Sequence, residues 1–222
     1  MKKLLSAALL ASLFMVGCSK SGSSPSVTPT NTDYQPTTAG SSWQFKDSAS
    51  GGISTMTATS NTNVISGTTY VVFNSTSPGS STVTPVYISK QNGFYDFIGL
   101  FSSATTTGGI DFRYLNDQLA VGGTWNFNAG GFSAGGYTIP AVISGKIIEK
   151  GITKTVNGVS FSNVIHSQIT LKYDYSSFGT GQGLVSVGVY DLYAAKGVCF
   201  IKTQANLGSY VASTSLVSYT IK

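Results

Sequence analysis

The sequence predicts an all-β fold: an antiparallel sandwich or barrel-like domain, built from two repeated β units. Three observations carry this. Apolar residues alternate with polar ones over long spans. Clusters of Gly, Asn, Ser and Pro interrupt those spans at short intervals. No segment beyond the first 17 residues shows a capped apolar period of 3.6.

The clearest strand is 159–173. Its odd positions are Val159, Phe161, Asn163, Ile165, Ser167, Ile169, Leu171 and Tyr173, six of eight apolar or aromatic, against one of seven even positions. A period of two puts one face in a core. Asn157-Gly158 just before it is a hairpin signal, so 152–156 should pair antiparallel with its start. The same logic predicts strands at 53–59, 69–74, 83–90, 94–98, 110–115, 137–150, 183–194, 198–203 and 209–221.

The segments recur in order. "AGSSWQF" carries Trp43 and "VGGTWNF" carries Trp125, each followed by a Gly-rich gap, "SASGG" or "NAGGFSAGG". A hairpin follows in each case, "NVISGTTYVVF" or "TKTVNGVSFSNVI", then a Val-Tyr strand and a Gly-aromatic strand. This order implies an internal duplication with units 33–120 and 121–222 in one compact domain, the two tryptophans filling equivalent core places.

Residues 1–17 read as a secretory leader. Lys2 and Lys3 precede an apolar run, 4–16, too short to span a bilayer. Gly17-Cys18 resembles the lipobox of bacterial lipoproteins, with Met15 where Leu is usual. The resemblance implies cleavage before Cys18, acylation of its thiol, and attachment to a membrane by several acyl chains. Residues 19–32 are mostly Ser, Thr, Pro and Gly and read as a flexible tether, so 18–32 is the lipidated cysteine and its linker.

"DYQPTTAGSSWQF" and "AKGVCFIK" look like segments of a class of uncharacterised Bacteroidota envelope lipoproteins. That resemblance implies an envelope address and a β fold; the expected location is the outer membrane, on its periplasmic or surface face. It assigns no catalytic residue. "DSA" at 47–49 resembles the acceptor site for protein O-glycosylation in the same bacteria.

Composition narrows the chemistry. Charged residues make up 9% of the 222, and the formal charge is +5 with the basic residues scattered singly. No Lys/Arg cluster interleaves with aromatics, so no nucleic-acid partner is expected. With Cys18 acylated, Cys199 has no disulfide partner and reads as a buried hydrophobe. His166, the only histidine, falls on the polar face of its strand and is expected to be solvated. One histidine and one cysteine do not make a zinc site, and no cofactor or metal is expected. "FGTGQG" at 178–183 lacks the lysine and strand-to-helix setting of a phosphate loop.

The expected role is therefore non-enzymatic: a membrane-anchored envelope lipoprotein that binds a glycan or peptide, contacts an envelope protein, or is structural. Two alternatives stay open. Asp96, Asp111 and Asp191 could supply the carboxylate pair of a polysaccharide hydrolase, which needs about 5–9 Å between them. A curved sheet with an apolar cavity could instead carry lipid-like cargo.

Overall fold

The computed structural model describes residues 32–102, 106–134, 137–176 and 182–222, with side chains at 100–108 and 134 left aside. The leader, Cys18 and the tether 19–31 lie outside the described residues, as does most of 178–183.

Twelve antiparallel strands close into a barrel. They are β1 (Ser42–Asp47), β2 (Ile53–Ile65), β3 (Thr68–Thr76), β4 (Val83–Gln91), β5 (Phe94–Ser102), β6 (Thr106–Asn116), β7 (Thr124–Ala134), β8 (Tyr137–Val156), β9 (Val159–Asp174), β10 (Leu184–Ala195), β11 (Cys199–Asn206) and β12 (Val211–Thr220). Each strand pairs with its neighbours in sequence, and β1 pairs with β12 to close the ring. The sandwich alternative is thereby set aside. Among the described residues, all twelve strands and both apolar cores lie within 34–222.

Several elements differ from the sequence reading, β2 running on to Ile65 and β5 to Ser102 among them. The "NAGGFSAGG" gap is largely strand: β7 runs on to Ala134, with the register shifting between Asn128 and Gly131. Two expected strands, 137–150 and 152–156, are one strand of 20 residues, β8, in which Gly151 takes φ +73°. β6 starts at Thr106, four residues earlier than the apolar pattern suggested. Bulges keep such ladders going where strict alternation fails.

The segment order seen in the sequence maps strand for strand onto the ring. Trp43 is the second residue of β1 and Trp125 the second of β7, and the two hairpins are β2–β3 and β8–β9. Both indoles are buried, but their settings differ. Trp43 Nε1 donates to the Val198 carbonyl, and its ring packs against Phe73 at 5.9 Å. Trp125 lies over Gly145, the residue opposite it on β8, and its Nε1 has no partner.

The two ends of the barrel are unlike. The end that carries the turns at 66–67, 92–93, 157–158 and 196–198 is closed by the incoming chain. There Tyr34 N donates to Tyr95 Oη, Gln35 Oε1 accepts from Cys199 Sγ at 2.8 Å, and Asp33 forms an ion pair with Lys90. The opposite end, the rim, carries the turns after β1, β3 and β11 and the starts of β8 and β10.

Candidate functional site

A cavity of about 530 Å³ sits in the half of the barrel nearer the rim. Its lining residues come from β1, β2, β5, β6, β9, β10, β11 and β12, on opposite walls, so the space is the barrel interior. Its size falls within the roughly 300–1,000 Å³ of small-molecule sites. Phe97 and Phe112 stack at 5.1 Å and form one wall; Tyr190 meets Phe112 edge-on at 5.0 Å. Burial, and then the nearby Tyr173, push the Tyr190 hydroxyl above the ordinary phenol pKa, so this wall is uncharged at neutral pH.

The polar lining consists of four hydroxyls, those of Ser54, Thr203, Thr214 and Tyr190, and the first three are already engaged. Thr203 and Thr214 hydrogen-bond each other at 2.6 Å, and Ser54 Oγ donates to the Phe45 carbonyl. No Lys, Arg, Asp or Glu is among the lining residues. Gly99 on β5 leaves part of the space open: a Cβ built there meets nothing within 4 Å. Such a site can take the apolar part of a ligand and offers a buried charge nothing to pair with.

Little in the residue pattern signals this cavity. Alternation announces an inward face, but not whether that face fills the ring. The aromatics expected as core do form its walls.

The candidate acids separate into two places, neither of them in the cavity. Asp96 and Asp111 share one face of β5 and β6. Asp96 is 2% exposed; Arg113 Nε donates to its Oδ1 at 2.8 Å and Arg113 Nη2 to its Oδ2 at 3.1 Å. Tyr70 Oη donates to Asp111 Oδ2 at 2.9 Å, while the buried Asp111 Oδ1 has no partner. Asp191 lies on β10, with β9, β8, β7 and β6 between it and β5. Spacing along the chain could not show this, because it says nothing of which strands adjoin.

Burial, and next the charge of Asp96, raise the Asp111 pKa to about 6 against the pull of Tyr70 and Arg113. A carboxyl whose folded-state pKa exceeds its unfolded value of about 3.9 favours the folded state most when protonated. Its contribution is complete below about pH 4 and is lost as pH rises through about 6. The Asp111→Asn variant lacks this loss, so its thermal midpoint should gain on the native protein between pH 4 and 6 and then hold its lead. A gap independent of pH would refute the assignment.

His166 is a correction. It is 8% exposed, not solvated. Its Nδ1 lies 3.0 Å from Glu149 Oε2 and its Nε2 2.9 Å from Asp191 Oδ1, and its ring stacks on Tyr193 at 4.2 Å. The β8–β9 ladder is bulged beside it, between Ile147 and Glu149, and side chains from β8 and β10 close over the outward face. Alternation locates a face but not the neighbours that cover it. Cys199 is buried as expected, and burial raises its thiol pKa to about 12. The "DSA" motif sits on the exposed β1–β2 turn, where Asp47 Oδ1 accepts from the Ala49 and Ser50 amides.

No protein-family model and no curated protein matches the sequence. Two solved structures are similar in fold. One, from Parabacteroides distasonis, has a name that assigns it provisionally to the lipoproteins; it is 12% identical, with a TM-score of 0.51 over 86% of this chain and 99% of that one. The other, an exported protein from Bacteroides fragilis described as having a YmcC-like fold, is 10% identical, with a TM-score of 0.48 over 83% and 97%. At these identities the first likeness establishes a shared β architecture.

Proposed function

We propose that this chain is a non-enzymatic, membrane-tethered lipoprotein of the bacterial envelope whose barrel cavity binds the apolar part of a lipid-like ligand. The observation that carries the reading is the cavity: aromatic and aliphatic walls, no charged side chain, and four hydroxyls of which three already have partners. A glycan enclosed there would lose water from its hydroxyls and gain few hydrogen bonds, at a cost of about 1–3 kcal/mol for each one left unpaired. An acyl chain loses nothing comparable and buries its surface at roughly 25 cal/mol per Å². The lipobox-like Gly17-Cys18 and the Ser/Thr-rich tether support the address, the outer membrane being the expected one.

The hydrolase reading gains less support. Asp96 is held in a two-point ion pair and almost fully enclosed, and Asp191 sits on a strand distant from it in the ring.

Titration with a fluorescent fatty-acid analogue tests the cavity. The native protein should bind it saturably. Gly99→Phe should abolish binding while leaving the thermal midpoint close to native, because the new ring enters open space. No binding by the native protein, or equal binding by the variant, would sink the proposal.

A further inference from the structure

We infer that the rim of the barrel is a lipid-docking surface, through which the cavity exchanges its ligand with a bilayer. The inference rests on the cavity reading above and assigns it a partner.

Exposed apolar residues are not spread evenly. Among the described residues, twelve large ones are exposed, and eight of them stand at the rim. On one side are Tyr137, Leu184, Val185, Leu207, Tyr210 and Val211, at the starts of β8, β10 and β12 and in the turn before β12. Ile53 and Val83, at the starts of β2 and β4, stand on the other. Tyr137, Leu184, Tyr210 and Val211 are each more than half exposed. Single exposed apolar residues are ordinary; a set of them gathered around the mouth of an apolar cavity marks an interaction site.

Charged residues stand at both ends of the barrel, but those at the rim cancel. Asp33, Lys90, Asp117, Lys196 and Lys222 stand at the closed end. The strand ends nearest the rim carry Lys46 beside Asp47 and Lys172 near Asp174, which offset each other. Among the described residues the mouth is thus rich in exposed apolar side chains, and its four charges, Lys46, Asp47, Lys172 and Asp174, sum to zero. The hydroxyl-tipped rings of Tyr137 and Tyr210 suit the boundary between headgroups and acyl chains.

The number of residues before Asp33 is compatible with that orientation. Residue 33 meets the barrel at the closed end, through its carbonyl bond from Gly197 N. The stretch 18–32 can extend to about 50 Å. The barrel wall is roughly 30 Å high, since β10 runs about 40 Å along a strand tilted by about 40°. A linker from Cys18 therefore has the length to let the mouth turn to the membrane that holds the anchor.

Flotation with phosphatidylcholine vesicles tests the rim, using the chain from residue 19 onward so that neither leader nor acyl group contributes. That chain should float, to the same extent at low and high salt. The L184D/Y210D/V211D variant should lose vesicle partitioning at least about tenfold, yet bind the fluorescent fatty acid as the native protein does. Tyr210→Asp alone, in the β11–β12 turn, should give a smaller loss and serves if the triple variant does not fold. Gly99→Phe should float normally without binding the probe. Absence of flotation, equal flotation by the rim variants, or a rim-dependent dimer in place of vesicle binding would overturn the inference while leaving probe binding intact. Flotation without probe binding would overturn the cavity reading instead.

Discussion

Gly145→Ala should destabilise the barrel by about 3 kcal/mol, the upper part of the range for overpacking a core. A Cβ at position 145 would stand 2.1 Å from Trp125 Cε2 and 2.2 Å from Cζ2, inside the indole itself. The ring cannot step aside easily. Trp125 is 7% exposed, faces Gly145 across the β7–β8 ladder, and is met edge-on by Phe94 at 6.3 Å. Either the indole leaves its rotamer or β7 and β8 separate locally. The cross-check is a double variant: Trp125→Leu in the Gly145→Ala background should recover part of the loss, as residues in direct contact are not additive. Denaturant titration of the four proteins measures this. Strictly additive losses would show that glycine is needed for a reason other than the tryptophan.

Trp43→Ala should cost more, about 4–5 kcal/mol, and bring the domain close to global unfolding, since single domains have only about 5–15 kcal/mol in hand. Trp43 is fully buried, and removing the ring leaves a void beside Phe73. It also strips the Val198 carbonyl of its donor across 155 residues of chain, tying β1 to the turn before β11. Trp43→Phe separates the two effects: it keeps most of the volume, loses only the hydrogen bond, and should cost about 1–2 kcal/mol less than alanine. Equal losses for the two variants would assign the role of Trp43 to its N–H alone. Under this reading Trp43 and Trp125 are both structural, yet only Trp43 contributes a bond through its nitrogen.

Much of the fold was legible because period-two alternation and turn residues are local signals. The Asn157-Gly158 hairpin, the long β9 and the six-strand spacing between the tryptophans all follow from neighbours in sequence. Closure was not legible. Whether the edges of two such sheets meet depends on twist and shear summed over the whole ring, and the Ser42–Thr220 pairing that completes it has no local mark. The glycine-rich start of the β7–β8 hairpin misled for a related reason: low hydrophobicity looks like a loop, yet Gly131 sits opposite Pro140, where backbones approach closely enough that a side chain would strike the Ile139 carbonyl. For the site, the sequence supplied the aromatics but not the empty volume among them. Nor could it show that His166 would be enclosed by Glu149, Asp191 and Tyr193, three residues that only register brings together.

The β1–β12 pairing also orders events in time. Every other pairing joins strands adjacent in sequence, whereas this one brings together residues such as Gln44 and Ser218, 174 positions apart. Adjacent hairpins can form as the chain emerges, but the first strand must wait for the last. Until then both are open sheet edges, able to pair with other chains. A polypeptide delivered N-terminus first thus stays unclosed until β12, Val211–Thr220, arrives, and a truncation before it leaves two adhesive edges rather than a shorter barrel.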